Sequence, residues 1–166
     1  MSDPIEILAT FAQVAVALAG FSGIIIAFER RSLGSLTQLE LRRLSNLFAL
    51  SGFVLLASLF GISLLSTAYF EQWLLWSGAS GLVLLVGTPW VVMDWLQIRR
   101  LESTEKEQVK AWVIYPFSVL AVLGLLLQAV NCFYGQLWPF LLALVIMVTF
   151  AFQQFILLVR MGIHSD

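Results

Sequence analysis

Five stretches of the chain carry almost no charge: roughly Pro4–Phe28, Leu44–Tyr69, Trp73–Ile98, Ala111–Tyr134 and Leu137–Val159. Each is longer than the roughly 20 apolar residues a helix needs to cross the hydrocarbon core of a bilayer. They are too long and too uniform for barrel strands, whose lipid-facing and lumen-facing residues alternate. In lipid every backbone N–H and C=O must pair within the protein, and a helix does this inside one segment. The pattern predicts an all-α, polytopic membrane protein of five transmembrane helices, with residues 1–166 as one membrane domain.

Composition points the same way. Only 11% of the 166 residues are charged and 60% are apolar, whereas soluble domains carry roughly 25% charged residues. A fold of this size has too much surface for a core to absorb that deficit. The formal net charge of −1 speaks against a nucleic-acid partner. Cys132 is the one cysteine, so an internal disulfide and a cysteine-based metal site within one chain are excluded. The opening "MSDPIEI" has no basic residue, so the first apolar run reads as a span and not as a signal peptide.

The basic residues orient the spans. Arg30, Arg31, Arg42 and Arg43 fall at the first connection, Arg99, Arg100, Lys106 and Lys110 at the third, and Arg160 after the last span. The second and fourth connections, "FEQW" and "YGQLW", hold none. Since basic residues concentrate on the cytoplasmic side, the N-terminus is expected outside and the C-terminus inside. Tyr69, Trp73, Trp76, Tyr134 and Trp138 then form an outer aromatic belt, with Trp95 and Trp112 in the inner one.

Both cytoplasmic connections end in the spacing of a capping box, Thr37-x-x-Glu40 and Thr104-x-x-Glu107, in which hydroxyl and carboxylate each satisfy a free backbone donor. The second and fourth spans are therefore expected to begin near Gln38 and Glu105. Arg30-Arg31, Thr37, Glu40 and Tyr69 recur as Arg99-Arg100, Thr104, Glu107 and Tyr134. These offsets suggest two hairpin repeats followed by a fifth helix.

The first span is built from small residues. At roughly 100° per residue, Ala12, Ala15, Ala19, Gly23 and Ala27 share one narrow arc, and Phe11, Leu18 and Phe21 lie on the other side. Lipid tails are as apolar as leucine, so helices gain by close backbone approach at small residues. The arc is expected to be a helix-packing groove, filled within the chain or by a second copy.

Polar residues at depth need partners. Gln13, Gln128 and Asn131 are expected to form an outer hydrogen-bonded layer, joined by Ser66, Thr67 or Ser77. Asp94, Gln153, Gln154 and Asn46 form an inner one. Asp94 is the one acid well inside a span, which marks either a helix-locking ion pair with Arg42, Arg43 or Arg99 or a functional carboxylate. Pro89 and Pro116 are expected to kink their spans.

No Ser–His pairing, no pair of intramembrane aspartates and no glycine-rich phosphate loop is present, and the one histidine is His164 in the tail. No enzyme activity, no cofactor and no metal are expected. The stretch "ALAGFSGIIIAF", the pair Arg30-Arg31 and "LRRLSNLFALS" resemble a group of small bacterial multi-span membrane proteins without an assigned activity. The likeness covers about the first 55 residues. It implies a bacterial inner (cell) membrane setting and no particular functional residue. The expected function is assembly in the lipid bilayer, as a homo-oligomer or with another membrane protein. The alternative is a homo-oligomeric ion channel or small-solute transporter, with Asp94 and the glutamines lining a hydrated path.

Overall fold

The structure, a computed structural model, describes residues 3–28, 38–67, 71–100 and 111–163. All regular structure among them is helical: α1 Pro4–Phe28, α2 Gln38–Thr67, α3 Gln72–Arg100, α4 Ala111–Tyr134 and α5 Leu137–Ile163. Four of the five are long and apolar enough to cross a membrane, over Pro4–Ile24, Glu40–Ser66, Gln72–Met93 and Leu137–Val159. On α4 the described apolar stretch is the shorter Ser118–Tyr134. Large apolar side chains remain outside: Leu56 is 67% and Leu85 74% exposed. In water such a surface would be a liability; against acyl chains it is a matched one.

Local chemistry fixes the helix ends. Asp3 Oδ1 accepts from Ile5 N at 3.0 Å, so Asp3 caps α1 while Pro4 takes the first helical position, where its missing N–H costs nothing. Glu71 does the same for α3 through its backbone, its carbonyl accepting from Leu74 N at 3.0 Å and Leu75 N at 3.1 Å. The turn between α4 and α5 depends on Gly135, at φ +59°. Its N–H donates to Asn131 O at 2.8 Å, closing α4 with a left-handed cap.

The helices belong to two compact units. One takes α1, α2 and the α5 residues from Met147 onward; the other takes α3, α4 and α5 as far as Ile146. In the first unit, Leu8 Cδ1 sits 2.9 Å from where a Cβ on Gly61 would stand. From that contact α1 runs 20 residues to Phe28 (28 − 8) and α2 runs back 23 to Gln38 (61 − 38), about 30 and 35 Å at the helical rise. Were the two parallel, those ends would lie about 65 Å apart, whereas the ten peptide steps between them reach about 36 Å. The pair is antiparallel.

In the second unit α3 packs on α4, and the hydrogen bond from Asn131 to Ser80 fixes their register by the same arithmetic. Gly124 against Ile146 and Gln128 against Pro139 make α4 and α5 an antiparallel hairpin. Trp76 is buried here, tilted against Phe140 with ring centroids 5.5 Å apart. It is therefore a packing residue and not a member of the aromatic belt. Trp73, Tyr134 and Trp138 are exposed, together with Phe133. The capping boxes at Thr37 and at Thr104–Glu107 lie outside the described residues, apart from Glu40, which is buried.

Candidate functional site

Three groups of side chains stand out from the apolar background. The first is α1. Its buried residues are Leu8, Ala12, Ala15, Leu18 and Ser22, an arc turned by roughly 60° at 100° per residue from the one the small residues define. The seat of Leu8 against Gly61 sets this rotation and brings Leu18 inward. Ala12 and Ala15 are buried, Ala19 is half-buried and Gly23 is exposed; the Ala27 side chain lies outside the described residues. Gln13 is exposed, a correction to its expected burial. Gln13, Val16, Gly20 and Gly23 share an exposed arc of roughly 80°. A Cβ added at Gly20 or Gly23 would meet nothing within 4 Å.

The second group joins α3, α4 and α5 near the Gly135 turn. Asn131 Nδ2 donates to Ser80 Oγ at 2.8 Å and to Gln136 O at 2.9 Å, and its Oδ1 accepts from Gln136 N at 2.9 Å. Three bonds use both amide hydrogens and one lone pair of the oxygen. Gln128, 1% exposed, donates through Nε2 to Pro139 O at 2.7 Å, and its Oε1 has no partner. Of the three expected to cluster, Gln128 and Asn131 are buried and hydrogen-bonded, but to separate partners, with Ser80 and Gln136 the ones that sequence reasoning missed. Gln136 follows the turn residue directly, and Ser80 becomes a candidate only once the α3–α4 register is known. Ser66 instead donates to Ile62 O at 2.8 Å on its own helix. Ser77 is half-buried with an unpartnered hydroxyl, and the Thr67 side chain lies outside the described residues.

The third group is at the start of α2. Glu40 and Asn46 are buried, and Arg42 and Arg43 are half-buried. Arg43 Nη1 donates to Leu157 O on α5 at 3.4 Å, tying the two helices together. Gln153 and Gln154 on α5 are half-buried. The side chain of Asp94, like those of Arg99 and Pro116, lies outside the described residues.

Further along α2 are two residues that the sequence reading passed over. Ser51 and Ser58 are 2% and 0% exposed, and neither hydroxyl has a hydrogen-bond partner. Among the described residues no three of His, Cys, Asp and Glu gather as a metal site would require. No family model, no curated protein and no solved structure matches the chain.

Proposed function

We propose that the chain is a five-helix integral protein of a bacterial inner membrane, with its N-terminus outside and its C-terminus inside, that works without catalysis by assembling laterally. Its partner is a second copy or another membrane protein. The observation that carries this reading is the outward arc of α1. A carboxamide at Gln13 on a membrane-crossing helix lacks water to bond, and association supplies a partner worth about 0.6–2 kcal/mol. Gly20 and Gly23 flank the same arc with open space where a side chain would go. Contacts inside the chain give no reason for glycine at these two positions; close approach of an outside helix does.

Native mass measurement in lipid nanodiscs tests this, with Gln13→Leu and Gly23→Ile as the variants. Both are expected to shift the population toward monomer. An assembly of unchanged mass and stability in the double variant would sink the reading.

The hairpin repeat belongs to the same proposal. Leu8, Ala12 and Ala15 of α1, and Trp76, Ser80 and Val83 of α3, each pair 68 residues apart (76 − 8, 80 − 12, 83 − 15), are all buried. That supports two hairpins presenting equivalent faces.

A further inference from the structure

The corner of the second unit where α3 begins and α4 turns into α5 carries an acid with no base beside it. Neither "FEQW" nor "YGQLW" holds a lysine or arginine. Among the described residues the Glu71 side chain bonds one group, the Trp73 indole, whose Nε1 donates to Glu71 Oε2 at 2.5 Å. Both residues are exposed, Trp73 by 52%. A tryptophan at a span end ordinarily lies loose in the headgroup layer. Here the bond fixes the ring and holds a negative charge at its edge, leaving its electron-rich faces open. A second ring joins the same corner. Gly135 packs against the Trp73 carbonyl, so Tyr134, the residue before it, emerges beside the start of α3 and is exposed. Trp76, one turn along α3, is by contrast buried against Phe140.

We propose that Glu71, Trp73 and Tyr134 form a docking surface for the ammonium headgroup of a zwitterionic lipid. The argument is charge complementarity. A carboxylate without a basic neighbour attracts a cation, and so do the faces of aromatic rings. An ammonium has three donors. With one on Glu71 Oε1, it comes within the roughly 6 Å over which a ring face attracts a cation. The surroundings fit a lipid and not a free amine. Membrane-crossing α3 starts at Gln72 and α5 at Leu137, so Glu71 stands at headgroup level. Below it Leu74, Val130 and Phe133 are exposed and offer an apolar surface to the acyl chains of the same molecule. The surface is separate from the outward arc of α1. It requires that the chain lie in a bilayer and is indifferent to whether it assembles.

Native mass spectrometry of the delipidated full chain in detergent tests it, with one lipid added at a time. The probes share their acyl chains: phosphatidylethanolamine, its N-acetyl derivative, which lacks the positive charge, and phosphatidylglycerol. The ammonium lipid is expected to be retained about five-fold better than either of the others, the product of a cation–π contact and an exposed ion pair at their ordinary strengths. Glu71→Gln still accepts from the indole but carries no charge, and is expected to lower the preference to about two-fold. Adding Trp73→Leu is expected to abolish it. Equal retention of the three lipids by the parent, or a Glu71→Gln chain that keeps the full preference, overturns the proposal. Should the double variant fail to fold, Glu71→Gln decides, since its side chain is exposed. The same spectra give the protein mass, so lateral assembly and lipid preference are read separately.

Discussion

The two units hold their helices together by different chemistry. The second is tied by amides: Asn131 bonds α3 and the α4–α5 turn at once, Gln128 reaches from α4 to the Pro139 carbonyl, and a left-handed glycine lets the turn close. In the first unit the contact that fixes α1 against α2 is apolar, Leu8 in the notch at Gly61. Its α2 carries two buried serines whose hydroxyls bond nothing in the protein. Lipid removes the hydrophobic drive between helices and leaves packing and hydrogen bonds as alternatives. Between α1 and α2 the fixing contact is packing, and the polar tie of that unit is from α2 to α5, Arg43 Nη1 on Leu157 O.

The contrast is broken most severely at Gly135. An added Cβ would collide with the backbone carbonyl of Trp73, and φ +59° is strained for any side chain. Gly135→Ala is expected to cost about 3 kcal/mol or more, combining left-handed strain with a backbone clash that no rotamer relieves. Thermal or denaturant unfolding in nanodiscs reads this as a large drop in midpoint. A midpoint within a degree of the parent would mean that the turn is not held against Trp73.

Asn131→Leu comes next. It keeps the volume and leaves Gln136 N, Gln136 O and Ser80 Oγ without their partner, and each unsatisfied buried group costs about 1–3 kcal/mol. Gln136 itself is exposed, so water recovers part of the loss. A net of about 2–3 kcal/mol is expected. Adding Ser80→Ala is expected to restore some of it, since the orphaned hydroxyl is then gone. Strict additivity of the two would show that the Asn131–Ser80 bond contributes nothing.

In the first unit the matching experiment is Gly61→Ala, with a smaller effect because the obstacle is the tip of a side chain. Leu8 is fully buried, so its methyl has little room to retreat, and overpacking costs about 1–3 kcal/mol. The better helix propensity of alanine offsets about 1 kcal/mol of that. The pair Leu8→Ala with Gly61→Ala is expected to be more stable than the sum of the single changes. Independence of the two would break the register on which the antiparallel hairpin rests.

How much of this is legible without coordinates differs by level. Helix existence and length follow from apolar runs: α1 carries the expected bounds, α2 starts at Gln38 as the first capping signal suggests, and α4 ends at Tyr134 as expected, while its expected start near Glu105 lies outside the described residues. The third helix continues to Arg100 and the fifth to Ile163, because hydropathy marks where lipid ends and not where hydrogen bonding stops. Gln128 and Asn131 are legible as buried because a carboxamide at depth must find partners. The azimuth of α1 is not. Both of its faces are apolar, so the amphipathic signal that orients a helix in water is faint, and small size alone serves an inner and an outer contact equally. That ambiguity put Gln13 and Gly23 inside and Leu18 outside. Trp76 was misplaced for a related reason: position near a span end suits a belt residue, and only the approach of Phe140 shows that its ring turns inward.

The smallest expected effect on the folded chain is the one that separates inner from outer glycines. Gly61 has Leu8 against it, while Gly20 and Gly23 have open space. Replacing Gly23 by alanine therefore removes no internal contact and adds none, and what remains is helix propensity, about 0.8–1 kcal/mol in favour of alanine. Gly23→Ala is expected to leave the monomer as stable as before or slightly more so. If an outside helix uses the same arc, its backbone is held away by the new methyl, and the assembled fraction falls although the fold improves. Opposite signs in the two measurements are the signature of a glycine kept for a partner. A variant that gains stability and assembles as before would assign Gly23 to lipid alone, and the carboxamide of Gln13 would then have to find its hydrogen bond elsewhere.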